Sequence, residues 1–112
     1  MAQPQKELLG ASTSLLILSV LAKEASYGYK IIKRMNDEAG GRFIWQEGTV
    51  YPLLHKLEKD GLVRAQWQHA ETGRKRKYYY ITARGRVVLS KQKETWATFS
   101  AVMTRVMGES NA

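Results

Sequence analysis

Apolar residues recur at helical spacing in four stretches of the chain and alternate with polar residues in two. The most apolar window, Ser14–Ala22, predicts a first helix over about Lys6 to Lys23, with an apolar surface broad enough to be buried on more than one side. Ahead of it, Pro4 and the polar Gln3–Lys6 read as a flexible start. Ser26 suits the N-cap of a second helix from Tyr27 to about Ala39, because a short hydroxyl side chain can accept from a free N–H of the first turn. In that helix Ile31, Met35 and Ala39 share a face with Ile32 beside it, while Lys30, Lys33, Arg34 and Asp37 project outward. Gly40-Gly41 ends it. The short apolar run Phe43-Ile44-Trp45 fits either a third small strand or a loop anchored in the core.

A third helix is expected from about Thr49 to Lys59, with Val50, Leu53, Leu54 and Leu57 facing inward and Asp60-Gly61 at its end. Pro52 then falls in the first turn, where a missing N–H costs little. Leu62–Gln68 and Lys77–Thr82 have strand composition and alternation, and His69–Arg76, with Gly73, reads as the hairpin tip between them. Thr82 caps a long last helix from about Ala83 to Met107, closed by Gly108 and a polar tail. Helix, turn, helix and hairpin in this order spell a mainly α (α+β) chain. The expected architecture is a winged helix-turn-helix domain over residues 1–82, with a C-terminal dimerisation helix and tail over 83–112.

Charge sharpens the picture. The formal net charge is +8, and the stretch from Thr72 to Lys93 holds eight basic residues and no acid, so the excess belongs to the hairpin and the start of the last helix. Arg74, Lys75, Arg76 and Lys77 crowd four like charges together, which is unfavourable unless an anion lies nearby; phosphate is the obvious anion. A purely solubilising loop is the plainer alternative. The outward residues of the third helix, Thr49, Tyr51, His55, Lys56 and Lys59, suit entry into a major groove. Gly48 at its start allows the backbone close to a phosphate at the positive end of the helix dipole. Tyr78, Tyr79 and Tyr80 alternate between strand faces, which favours a structural role over base stacking.

Other chemistries find little support. There is no cysteine, which removes disulfides, thiolate metal sites and cysteine nucleophiles and fits a reducing compartment. His55 and His69 sit on different elements without ligand spacing, and no catalytic triad, phosphate loop or carboxylate pair is readable, so neither enzyme nor cofactor is expected. Ser14–Ala22 is far short of the ~20 residues that span a bilayer. Polar Gln3–Glu7 makes a poor secretory leader, so a cytoplasmic protein without a membrane partner is expected.

In the last helix Leu89, Gln92, Trp96, Phe99, Met103 and Val106 recur at alternating spacings of three and four, the pattern of a coiled-coil seam. A winged domain this small has no core left to cover the row, so a second copy of the chain, giving a homodimer, is the natural cover. Folding back on its own domain is the alternative. Trp96, with Phe99 and Met103, could instead line an aromatic cleft for a flat hydrophobic ligand, although a dimer-core tryptophan explains it as well.

Three stretches carry a family resemblance: Tyr27-Gly-Tyr-Lys-Ile-Ile32, then Gly48-Thr-Val-Tyr-Pro-Leu-Leu-His-Lys-Leu-Glu-Lys-Asp-Gly-Leu-Val63, and Gly73-Arg-Lys-Arg-Lys-Tyr-Tyr-Tyr-Ile-Thr82 with Gly85. They resemble the PadR family of bacterial transcriptional regulators, in its short form with a single C-terminal helix, over about Leu8 to Met107. The resemblance implies a winged-helix homodimer on double-stranded DNA, usually a repressor at a pseudo-palindromic operator. It implies a recognition helix using Thr49, Tyr51, His55 and Lys56, a wing using Arg74, Lys75 and Lys77, and phosphate contacts supported by Tyr27 and Tyr29. It also implies operator affinity modulated by a hydrophobic or aromatic small molecule, of multidrug or phenolic type, near Trp96. The rival function is a winged-helix protein–protein module without sequence-specific DNA binding; it calls for an apolar or acidic recognition face and no basic wing.

Overall fold

The computed structural model describes residues 6–108, so the polar start at positions 1–5 and the tail at 109–112 lie outside the described residues. The element order is α1 (Lys6–Lys23), β1 (Ser26–Tyr27), α2 (Gly28–Ala39), α3 (Glu47–Lys59), β2 (Val63–His69), β3 (Lys75–Ile81) and α4 (Ala83–Met107). The strands form an antiparallel sheet in the order β1-β3-β2. Mainly helical with a small sheet, this is the winged helix-turn-helix that the pattern implies.

Helix α1 is the centre of the fold. Ile17 and Leu18 are fully buried and Leu21 nearly so, while Leu15, Leu16, Val20 and Ala22 pack half-buried around them. Apolar residues therefore line more than one side of α1, which touches α2, α3, β3 and α4. Ile31, Ile32 and Met35 of α2, Trp45 of the loop before α3, Val50, Leu54 and Leu57 of α3, Val63 of β2, Tyr79 of β3 and Leu89 of α4 complete the core. Leu53 is only half-buried at its edge.

Three local expectations change, and one open choice is resolved. Ser26 does not cap α2. It is buried in β1, opposite Tyr79, and its Oγ donates to the Glu24 carbonyl at 3.4 Å. Tyr27 takes the N-cap position with extended backbone and no side-chain cap. Pairing with the free edge of β3, plus the edge-on contact of the Tyr27 and Tyr78 rings at 5.4 Å, outweighs a local cap. The third strand is thus Ser26–Tyr27, and Phe43–Trp45 is the anchored loop. The Trp45 N–H donates to Asn36 Oδ1 (2.8 Å), its carbonyl accepts from Asn36 Nδ2 (3.1 Å), and its indole Nε1 donates to Thr13 Oγ1 (2.9 Å).

Helix α3 begins at Glu47, so Pro52 lies in its second turn rather than its first. The proline cannot return a hydrogen bond to the Gly48 carbonyl, and the cost is limited because Gly48 is exposed to water. The hairpin strands also run further than expected, leaving residues 70–74 as the tip, with Gly73 at φ +86 and the Ala70 N–H donating to Arg74 O at 2.8 Å. Helix α4 starts and ends where the sequence places it. The Thr82 side chain accepts from the Gly85 N–H at 3.0 Å, and Gly108 closes the helix in the left-handed region at φ +72.

The Trp45–Thr13 bond is buried, so one partner cannot be lost without stranding the other. Thr13→Val should lower unfolding free energy by about 1–3 kcal/mol, read from denaturant midpoints.

Candidate nucleic-acid interface

Helix α3 and the β2–β3 wing lie side by side and share the Lys77–Glu58 ion pair at 3.5 Å. On α3, Gly48, His55, Lys56 and Lys59 are exposed, and Thr49 is half-buried. An added Cβ at Gly48 would meet nothing within 4 Å, so the space above it is open to another molecule. The α3 N-terminus is less free than expected, since the Thr49 and Val50 N–H groups both donate to the Gln46 carbonyl at 3.0 Å and Glu47 stands in the first turn. The Lys56 ammonium reaches Asp60 at 3.4 Å.

Tyr51 does not project freely from α3. It is half-buried, with its ring laid against Gly28 at the start of α2, in space that any Cβ at position 28 would occupy. Burial pushes its hydroxyl above the ordinary tyrosine range, and the Glu47 carboxylate and Tyr79 add to the shift. The hydroxyl therefore stays a neutral hydrogen-bonding group well past neutral pH. Gly28 thus sets where Tyr51 sits, a dependence that no local pattern around position 51 carries.

The wing holds its cations unevenly. Arg74 and Lys75 are exposed, at the tip and the first position of β3. Lys77 is half-buried in its pair with Glu58 and lies 5.5 Å from the Tyr79 ring centre. Arg76 points to the other sheet face, its guanidinium 4.2 Å over the Tyr27 ring. Charge counting alone does not assign Arg76 this role, although strand alternation sets it on the face opposite Lys75 and Lys77. Tyr27 is half-buried beneath Arg76, whereas Tyr29 is 60% exposed. Tyr79 is core, while Tyr78 and Tyr80 share the opposite face, Tyr80 under the Arg64 guanidinium at 4.5 Å.

The α4 row divides in two. Leu89 is already covered by its own domain, whereas Gln92, Trp96, Phe99, Met103 and Val106 are exposed, with Val106 at 80%. A groove of about 440 Å³ runs between α1 and α4, with Leu15, Gln92, Trp96 and Phe99 among its walls. The Trp96 and Phe99 ring centres are 6.3 Å apart. Met103 does not line this groove. Among the described residues no His, Asp and Glu cluster could hold a metal ion, and no helix is long and apolar enough to cross a membrane.

The transcriptional regulator PadR-like family model matches residues 17–91. An uncharacterized protein of Lysinibacillus sphaericus is 30% identical over 92 residues, 82% of this chain and 84% of its own length. A Streptococcus transcriptional regulator of known structure superposes with a TM-score of 0.81 at 28% identity, covering 92% of this chain and 99% of that one. A PadR-like transcriptional regulator from Bacillus cereus superposes with a TM-score of 0.80 at 29% identity, covering 91% and 97%.

Proposed function

Because the chain belongs to the PadR-like family of transcriptional regulators, we propose that it acts in the cytoplasm as a homodimeric repressor at a pseudo-palindromic operator. The observation that carries this reading is the juxtaposition of exposed His55 and Lys56 on α3 with exposed Arg74 and Lys75 on the adjoining wing. A cationic wing beside a helix with polar outward residues matches a duplex, with α3 reading base edges and the wing holding the backbone. Gly48, Thr49 and Tyr51 place the start of α3, Lys77 supports the wing from its pair with Glu58, exposed Tyr29 adds a phosphate contact beside the start of α3, and Tyr27 supports phosphate binding by holding Arg76.

Two copies pair through the exposed α4 row from Gln92 to Val106. Their recognition helices then meet successive half-sites about 34 Å apart. The α1–α4 groove, walled by Trp96 and Phe99, takes a hydrophobic or aromatic effector. Since α4 also carries the dimer contact, an occupant alters the spacing of the two recognition helices and so the operator affinity.

His55→Ala, at an exposed outward position of α3, and Arg74→Ala should differ in kind. The first relaxes the choice between matched and scrambled sites, and the second weakens both alike, as binding titrations on the two duplexes will show. Sedimentation of a single 12.8 kDa species would refute the dimer. Trp96 emission that no planar aromatic compound changes, with operator affinity equally unmoved, would refute the effector.

A further inference from the structure

Trp67 is 62% exposed, yet it stands on the inner face of the wing. In β2 the residues Val63, Ala65, Trp67 and His69 share one face, opposite Ile81, Tyr79, Lys77 and Lys75 of β3. That face starts in the core at Val63 and Tyr79, each 2% exposed. Trp67 comes two residues after Ala65, ~7 Å further along the strand, just where the hairpin clears the helices. Its register partner Lys77 reaches across to Glu58 of α3, so the indole stands on the α3 side of the wing.

We infer that Trp67 packs against the sugar–phosphate strand of bound duplex DNA, between the groove that α3 enters and the groove that the wing approaches. This rests on the DNA-binding reading above and adds to it a contact that is not ionic. A duplex with α3 in one groove and the wing at the next must pass a backbone strand through the space between them. Trp67 faces that space from the edge strand. Its surroundings fit a polyanion: His69 and Lys75 follow on the same face, and Lys77 stands opposite. The indole offers a flat apolar surface to deoxyribose and a single N–H donor, with no acceptor, to a phosphate oxygen. Lys77 is already partnered by Glu58, which leaves the indole as the large group available at this point of the wing.

The test uses the full chain and a mixed-sequence duplex in dilute salt. Trp67→Ala should bind about tenfold more weakly, as loss of an aromatic platform does elsewhere, while the slope of affinity against salt stays that of the wild type because no charge has been removed. Trp67→Phe should recover most of the affinity. In a Trp96→Phe background, tryptophan emission should change on adding the duplex, and that change should disappear when Trp67→Phe is added. Wild-type affinity in Trp67→Ala, or an emission change that survives in the Trp67→Phe, Trp96→Phe double variant, overturns the contact and leaves the DNA-binding reading intact. Failure of the wild type to bind any duplex overturns both. The emission measurement needs only the folded Phe variants, so an unstable alanine variant does not blunt it.

Discussion

Raising monovalent salt from about 50 to about 200 mM should weaken operator binding by about four powers of ten. If each subunit neutralises roughly four phosphates, a dimer releases the counterions of roughly eight, and affinity falls with a log–log slope of about −7. The arrangement of the cations refines this. Arg74 and Lys75 are exposed on the wing, whereas Lys77 is held by Glu58 at 3.5 Å and Lys56 lies 3.4 Å from Asp60. A lysine already paired must exchange a carboxylate for a phosphate and gains less by doing so. Lys75→Gln should therefore flatten the slope by about one, and Lys77→Gln by less. A binding titration in which affinity barely responds to salt would remove the basis for a phosphate-clamping wing.

The second large effect is on stability. Gly85 sits in the first turn of α4, buried against the carbonyl of Leu62, and an added Cβ would overlap that oxygen and come within 2.8 Å of Ile81 Cγ1. The obstacle is backbone, and it cannot give way easily. The same Leu62 carbonyl accepts from the Thr82 N–H and the Thr82 hydroxyl, both at 3.0 Å, so moving it breaks the junction between wing and α4. Gly85→Ala should cost about 3 kcal/mol, at the upper end for overpacking, and shift the urea midpoint accordingly. Gly48→Ala provides the contrast. It lies in α3 with open space around it and should raise stability by about 0.5–1 kcal/mol through helix propensity alone. Equal midpoints for the two variants would mean that the Leu62–Gly85 contact does not constrain the fold.

Much of this architecture was legible in the sequence because it rests on local signals. The Thr82 cap and the Gly108 stop define α4, the leucine spacing defines α3, and the alternation around Gly73 defines the wing. What escaped depends on partners distant in the chain. Ser26–Tyr27 has no strand signature of its own and is extended because β3 offers an edge. The position of Tyr51 is decided by the absence of a side chain at Gly28. Leu89 belongs to the same periodic row as Trp96, and only the packing of α1 shows that the row passes from core to surface between them. The candidate interface was readable as a set of residue types, but the division of its cations into exposed and paired ones was not, since Glu58 meets Lys77 only after the chain has folded.

Helix α4 runs without a glycine or proline from Arg86 to Met107, so it has no residue that favours a sharp kink. Leu89 embeds one end in the core, and Val106 lies about 26 Å away along the axis. The helix is therefore a stiff lever arm with its fulcrum in the core. A tilt of about 5° at the fulcrum swings the far end by about 2 Å, and in the proposed regulator a displacement of that far end would return as a rotation of the DNA-reading domain.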